Sequence, residues 1–239
     1  MMDNREVGRV VALFRYPVKS MCGEDLQSVK VGWHGFAGDR RWAFVRAGTE
    51  RSDFPWLTIR ERPEMWRYRP YFAEPEKPDS SVTMVRTPSG DELDVVDEAL
   101  ARELGAGARV IKQGRGVFDT FPLSMISTQT VAGLEGYVGS ELDRRRFRPN
   151  ILVEATNSSS EFPEDGWIGN TLRIGEMKMR LDKRDKRCVT INVDPTTITK
   201  NAEVLRAVAQ QRQSCLGVYG SVVQPGNLAV GDSIFIESR

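Results

Sequence analysis

The first hundred residues alternate short apolar runs with clusters of turn-forming residues, a pattern that predicts a series of strands. Strands are predicted at residues 7–14, 26–31, 41–45, 56–59, 68–73, 82–85 and 93–96. Turn residues separate them, and the segments 75–81 and 88–91 predict an exposed loop and a hairpin turn. The single histidine, His34, lies in a glycine-flanked turn, so we expect a structural role for it.

Three helices are predicted farther along the chain. They cover residues 97–104, a segment that opens at residues 127–130 with a hydroxyl cap, and residues 201–211. Further strands are predicted at 151–153, 172–174, 188–193, 218–223 and 233–236. Because strands and helices do not alternate regularly, a doubly wound parallel sheet is not expected. The pattern predicts a mainly β chain with a few helices (α+β) and a barrel-like core.

Charge and composition exclude several classes of function. The 34 basic and 33 acidic residues give a net charge of +1, which provides no bulk positive field for nucleic acid. The longest apolar run, residues 10–14, is far shorter than the roughly 20 residues that cross a bilayer. The first residues also lack the apolar core of a signal peptide. We therefore expect a soluble, cytoplasmic protein that binds neither nucleic acid nor membrane.

The scarce residues narrow the chemistry further. One histidine cannot form a multi-histidine zinc or iron site. The three cysteines, Cys22, Cys188 and Cys215, contain no C-x-x-C pair, which argues against a disulfide framework, a zinc ribbon and a thioredoxin motif. A Walker A phosphate loop is excluded because glycine is nowhere followed by lysine.

Two basic runs stand out against this neutral background, at residues 144–148 and 183–187. The second run leads directly into Cys188, and nearby cations favour a thiolate, which suits a soft metal or an anionic, sulfur-rich cofactor. Two alternative interpretations stay open: the basic runs form a solvated charged face, and Cys188 is a buried cysteine on a β-strand. Lys19 and Ser20, adjacent in a loop, can together hold a phosphate or carboxylate, and Arg40 can point into a pocket.

Seven segments, in this order along the chain, resemble those of proteins with a MOSC domain (molybdenum cofactor sulfurase C-terminal domain). They are Tyr16-Pro17-Val18-Lys19-Ser20, Gly38-Asp39-Arg40-Arg41-Trp42, Phe121-Pro122-Leu123-Ser124, Arg146-Phe147-Arg148-Pro149-Asn150, Arg187-Cys188-Val189-Thr190, Val193-Asp194-Pro195 and Gly231-Asp232. The N-terminal segments are similar to the β-barrel domain that precedes MOSC in mitochondrial amidoxime-reducing components and their bacterial relatives. The resemblance implies an N-terminal β-barrel-like domain at 1–97 and a MOSC β-barrel domain at 98–239.

The resemblance also implies a site. Cys188 would ligate molybdenum and be the catalytic residue, while Cys22 and Cys215 would be core or surface cysteines. The residues that would bind the molybdenum cofactor (molybdopterin) are Lys19, Ser20, Arg40, Ser127, Thr128, Arg148, Asn150, Arg187 and the pocket tyrosine Tyr219. Such an anionic cofactor needs several cations and one thiolate. Asn192 and Ile198 depart from the family pattern, since they replace a threonine and a glycine.

The function implied by the resemblance is reduction of N-hydroxylated compounds by a molybdenum-dependent oxidoreductase. The chain is too short for the pyridoxal-phosphate domain of the sulfurases, and it has neither a flavin domain nor a cysteine quartet for an iron–sulfur cluster. Electrons would therefore come from a separate donor, a flavoprotein reductase with a ferredoxin-like carrier. The alternatives are a non-redox carrier of sulfur, as a Cys188 persulfide, or of the cofactor, and a small-molecule binding module.

Overall fold

The computed structural model describes residues 5–49, 51–156 and 159–237, and within these ranges the chain forms sixteen strands and three α-helices. The first nine strands are β1 (Arg5–Arg15), β2 (Glu24–Leu26), β3 (Ser28–Gly32), β4 (Gly35–Phe36), β5 (Trp42–Val45), β6 (Arg69–Phe72), β7 (Thr83–Arg86), β8 (Glu92–Asp94) and β9 (Arg109–Lys112). The others are β10 (Leu123–Ser127), β11 (Ile151–Ala155), β12 (Thr171–Ile174), β13 (Met177–Lys186), β14 (Cys215–Gln224), β15 (Gly226–Ala229) and β16 (Ser233–Glu237). The helices are α1 (Glu98–Leu104), α2 (Thr128–Val138) and α3 (Ala202–Arg212).

Seven strands close into a barrel, in the order β11, β10, β14, β13, β12, β16, β1 and back to β11. Strand β1 pairs antiparallel with both β11 and β16, so the first strand of the chain closes a barrel built otherwise from the second half. At Gly8 the two backbones are so close that a Cβ would lie 2.5 Å from the Glu154 carbonyl oxygen. Strands β10 and β11 run parallel, and α2 provides the crossover that such a pair requires.

Two apolar clusters hold these elements together. One fills the barrel with alternate side chains of its strands, including Leu13, Met125 and Leu181. The other packs α1, α2 and α3 and the 3-10 turn Pro63–Arg67 against the outside of the barrel, and it contains Phe14, Trp66 and Phe147. The remaining strands form a sheet of β15, β3 and β4, a β5–β9 pair and a sheet of β6, β7 and β8.

The predicted fold class is confirmed, and so are the three helices and the hairpin turn between β7 and β8. Two predicted strands are wrong. Residues 188–193 form a 3-10 turn, Val189–Asn192, with Cys188 at its N-cap, and residues 56–59 make only an isolated bridge from Trp56 to Val45. Residues 183–186 of the second basic run form the end of barrel strand β13.

In the described part of the chain, no helix has both the length and the apolar character needed to span a membrane. His34 lies in the tight turn between β3 and β4, as expected.

Candidate functional site

Eight of the ten residues predicted for the site line one cleft between the two halves of the chain. The loop after β1 and the turn before β5 provide Lys19, Ser20 and Arg40. Arg187 and Cys188 are the two residues that follow β13. The others are Arg148 and Asn150, just before β11, and Tyr219 in β14.

Three residues of this lining have a left-handed backbone that is uncommon for side chains other than glycine. The φ angles are 69° at Ser20 and 49° at both Arg40 and Arg148. Local hydrogen bonds hold two of them. The Arg40 N–H donates to the Tyr16 carbonyl over 2.7 Å, and the Arg148 N–H donates to the Arg145 carbonyl over 2.8 Å. Strained conformations of this kind concentrate at functional sites.

Buried charges form a connected network at the base of the cleft. The guanidinium carbons of Arg40 and Arg148 lie 4.7 and 4.1 Å from the centre of the Tyr16 ring. Arg40 pairs with the fully buried Asp39 and donates to the Arg148 carbonyl over 2.9 Å. The Asn150 amide donates to Asp39 over 3.1 Å, and this hydrogen bond fixes the orientation of the amide beside the Arg40–Asp39 pair.

Two buried donors of this network lack an acceptor among the described residues, and the first is the Tyr16 hydroxyl. Arg148 Nη1 donates to the Met21 carbonyl over 2.7 Å, whereas Nη2 is buried and has no hydrogen-bond partner among the described residues. Burial lowers the pKa of Arg148 to about 10, against the opposing effect of Tyr16, so the side chain stays charged at neutral pH. A buried cationic donor without a partner is costly. Its presence in the cleft wall fits an anionic ligand.

The Cys188 thiol is held by two neighbours that sequence reasoning missed. Its Sγ lies 3.2 Å from the Thr190 hydroxyl and 3.3 Å from Nη2 of Arg60, a residue of the first half of the chain. Burial alone would raise the pKa of Cys188. Hydrogen bonds from the hydroxyl and backbone N–H of Thr190 and the positive charge of Arg60 outweigh burial, so the pKa falls below its ordinary value.

The turn that carries Cys188 is anchored by two arginines. Arg146 donates to the Ile191 carbonyl and pairs with Asp194 over 2.9 Å. Arg187 donates to the carbonyls of Phe147 and Leu216 over 2.7 and 2.8 Å. Both guanidinium groups are nearly inaccessible to solvent, so these contacts fix the position of the thiol relative to the barrel.

Two carboxylates line the cleft, and the sequence had not indicated either. Burial raises the pKa of Asp185 to about 6, although the charge of Arg187 and the Tyr219 hydroxyl act against this rise. Asp119 accepts a short hydrogen bond from Lys19, and burial lowers the pKa of that lysine. Seven cationic side chains line the cleft against these two carboxylates, which favours an anionic ligand.

Ser127 and Thr128 lie elsewhere. Ser127 is fully buried, where it caps α2 by accepting from the Thr130 N–H and donates to Glu164 over 2.7 Å. Thr128 lines a separate cavity beside α2. Cys22 and Cys215 are half-buried outside the cleft. No group of three or more histidine, cysteine, aspartate or glutamate side chains suited to a metal occurs in the described residues.

Comparison with known proteins gives consistent matches to one family. Residues 100–235 match the family model of the MOSC domain, and residues 7–113 match that of the MOSC N-terminal beta barrel domain. The chain is 26% identical over 131 residues to human mitochondrial amidoxime-reducing component 1 and 30% identical over 130 residues to the rat mitochondrial amidoxime reducing component 2. Each match covers 49% of this chain and 37% of the relative. The crystal structure of the YuaD protein from Bacillus subtilis shares the fold, with a TM-score of 0.56 and 12% identity over the full length of both chains.

Proposed function

Because the chain belongs to the MOSC domain family, we propose that its cleft binds the molybdenum cofactor and reduces N-hydroxylated compounds with electrons from a separate protein. The observation that carries the proposal is the single activated thiol of Cys188 in a cleft lined by cations. The similarity of the chain to amidoxime-reducing components supports the choice of N-hydroxylated compounds as the substrate class.

The residues present fit such a cofactor. Cys188 offers the one soft thiolate. Nη2 of Arg148, which has no partner in the described part of the chain, offers a charge-assisted donor to an anion. Lys19, Ser20, Arg40, Asn150, Arg187 and Tyr219 line the same cleft and would complete the binding site. When bound, the cofactor would supply two-electron oxygen-atom-transfer chemistry. Ser127 and Thr128 take no part in this proposal, because their side chains lie outside the cleft.

The protein's own residues would stabilise the Cys188 thiolate and supply the protons for the reaction. Arg60 and Thr190 lower the pKa of the Cys188 thiol and so favour its thiolate form. Reduction of R–NHOH to R–NH₂ and water consumes two protons. Asp185 lines the cleft, and with a pKa of about 6 its carboxylate can hold and release a proton near neutral pH.

The reductase activity is tested with protein from a host that makes the cofactor. We expect reduced viologen to support reduction of a hydroxylamine, and NADH or NADPH alone not to support it. Turnover with NADH alone would contradict the need for a separate donor, for which we propose a flavoprotein reductase and ferredoxin-like carrier in the cytoplasm. If fully loaded protein shows no turnover with viologen, the reductase proposal is wrong.

The half-buried, activated thiol also suits a carrier of sulfur. Sulfane sulfur on Cys188, in protein that contains no molybdenum, would favour this second function.

A further inference from the structure

A second groove lies against the same wall as the cleft. Four arginines line it, Arg67, Arg69, Arg86 and Arg145, together with Cys22 and Trp66. They come from three parts of the chain: the 3-10 turn before β6 and β6 itself, strand β7, and the 3-10 turn Arg144–Phe147. The fold therefore collects these charges, which are separated in the sequence.

The positive charge of this groove is only partly compensated. Arg86 pairs with Glu92 and Arg145 pairs with Asp143, but neither of these carboxylates belongs to the lining. Arg67 and Arg69 are exposed, and neither forms an ion pair with a described residue. Among the described residues that line the groove there is no aspartate or glutamate. An acidic surface is the complementary partner for such a groove.

Trp66 separates this groove from the cleft. It is 2% exposed and lines the groove, and the guanidinium carbon of Arg148 lies 4.8 Å from the centre of its ring. Arg148 in turn lines the cleft. A protein docked in the groove would thus approach the cleft through a single layer of side chains and leave the cleft open to substrate.

We propose that this groove docks an acidic one-electron carrier protein of the iron–sulfur ferredoxin class. The proposal rests on the reductase function above, for which it names the site where electrons arrive. Reduction of R–NHOH with two electrons and two protons gives R–NH₂ and water, so two reduced carriers are oxidised in each turnover. Exposed arginines suit the weak, transient contacts through which such carriers exchange electrons.

The first test measures binding of a plant-type [2Fe–2S] ferredoxin by calorimetry at low ionic strength. The double variant Arg67→Glu/Arg69→Glu is expected to weaken binding at least 10-fold. Raising the salt to 0.2 M is expected to weaken binding to the wild type as well. Lys30→Glu, which reverses an exposed charge on β3 outside the groove, is the matched control and is expected to bind normally. Ferredoxin binding by the double variant that equals the wild type would overturn the proposal.

The second test compares two electron donors on cofactor-loaded protein. In the double variant, turnover with ferredoxin is expected to fall at least 10-fold, while turnover with reduced viologen stays at the wild-type rate. Equal loss with both donors would overturn the docking site. A wild type that binds ferredoxin through these arginines but gives no turnover with viologen would support the docking site and contradict the reductase function.

Discussion

The thiol of Cys188 is activated by different cations from those that the sequence suggested. The basic run 183–187 precedes it, yet Arg187 binds two backbone carbonyls and Arg184 binds the Arg212 carbonyl. Arg60, 128 positions away, makes the direct contact with the sulfur. Local sequence shows which residues are adjacent along the chain, but a contact between distant segments depends on the barrel that joins them.

Ile198 shows what a resemblance can predict at the scale of one residue. It stands where the family pattern has glycine, and its φ of 63° is the conformation that glycine adopts readily. A β-branched side chain thus adopts this left-handed conformation here, and it packs against the outer apolar cluster.

Asp185 leads to a prediction about pH. Its pKa of about 6 in the folded chain lies above the ordinary value, so the protonated form stabilises the fold, and this contribution is lost as the pH rises through 6. Asp185→Asn stays uncharged at every pH. Between pH 5 and pH 7.5 we expect the wild type to lose about 1.4 kcal/mol of unfolding free energy, the equivalent of one pKa unit, and the variant not to lose it. The stability of the variant relative to the wild type therefore increases by this amount. Urea denaturation at the two pH values measures it, and a difference that does not change with pH would contradict a buried, proton-binding Asp185.

At the scale of elements, the sequence predicted the helices and strands that local signals mark, such as caps, turns and regularly spaced apolar residues. The helices α1, α2 and α3 have clear caps, and β7 and β8 flank a typical turn. Strand β13 was missed because residues 182–186 are all charged, including the buried Asp185, which makes the end of the strand resemble a loop. The turn at Val189–Asn192 was mistaken for a strand because its residues have high β-propensity. Tertiary anchors from Arg146 and Arg187 decide its conformation.

The start of α2 provides a prediction for one element. Ser127 caps this helix and also donates to the buried carboxylate of Glu164. Ser127→Ala removes both bonds, so we expect the unfolding free energy to fall by roughly 1–2 kcal/mol. Urea denaturation of cofactor-free protein measures this loss. Thr128→Ala, beside it but not the cap, is the control. A Ser127→Ala variant with unchanged stability and reduced cofactor content would instead support the role that the resemblance assigned to Ser127.

At the scale of the molecule, the cleft depends on both halves of the chain. Lys19, Arg40 and Arg60 come from the first half, whereas Arg148, Arg187 and Cys188 come from the second. Strand β1 joins the halves because it completes the barrel between β11 and β16. The motifs in the sequence predicted most of the cleft residues, but they could not reveal Asp119 or Arg60, since nothing in their local sequence marks them. Asp185 lies within the basic run 183–187, but its neighbours along the chain do not show that it is buried in the cleft.

The central claim is that this cleft binds the molybdenum cofactor through Cys188. The most direct measurement is the molybdenum and pterin content of the wild type and of Cys188→Ser, purified from a host that makes the cofactor, with Cys22→Ser and Cys215→Ser as controls. We expect close to one molybdenum and one pterin per chain in the wild type and both controls, and loss of molybdenum in Cys188→Ser, because a neutral hydroxyl is a poorer ligand than a thiolate. Full molybdenum content in Cys188→Ser, or a wild type that contains neither molybdenum nor pterin, would contradict the account.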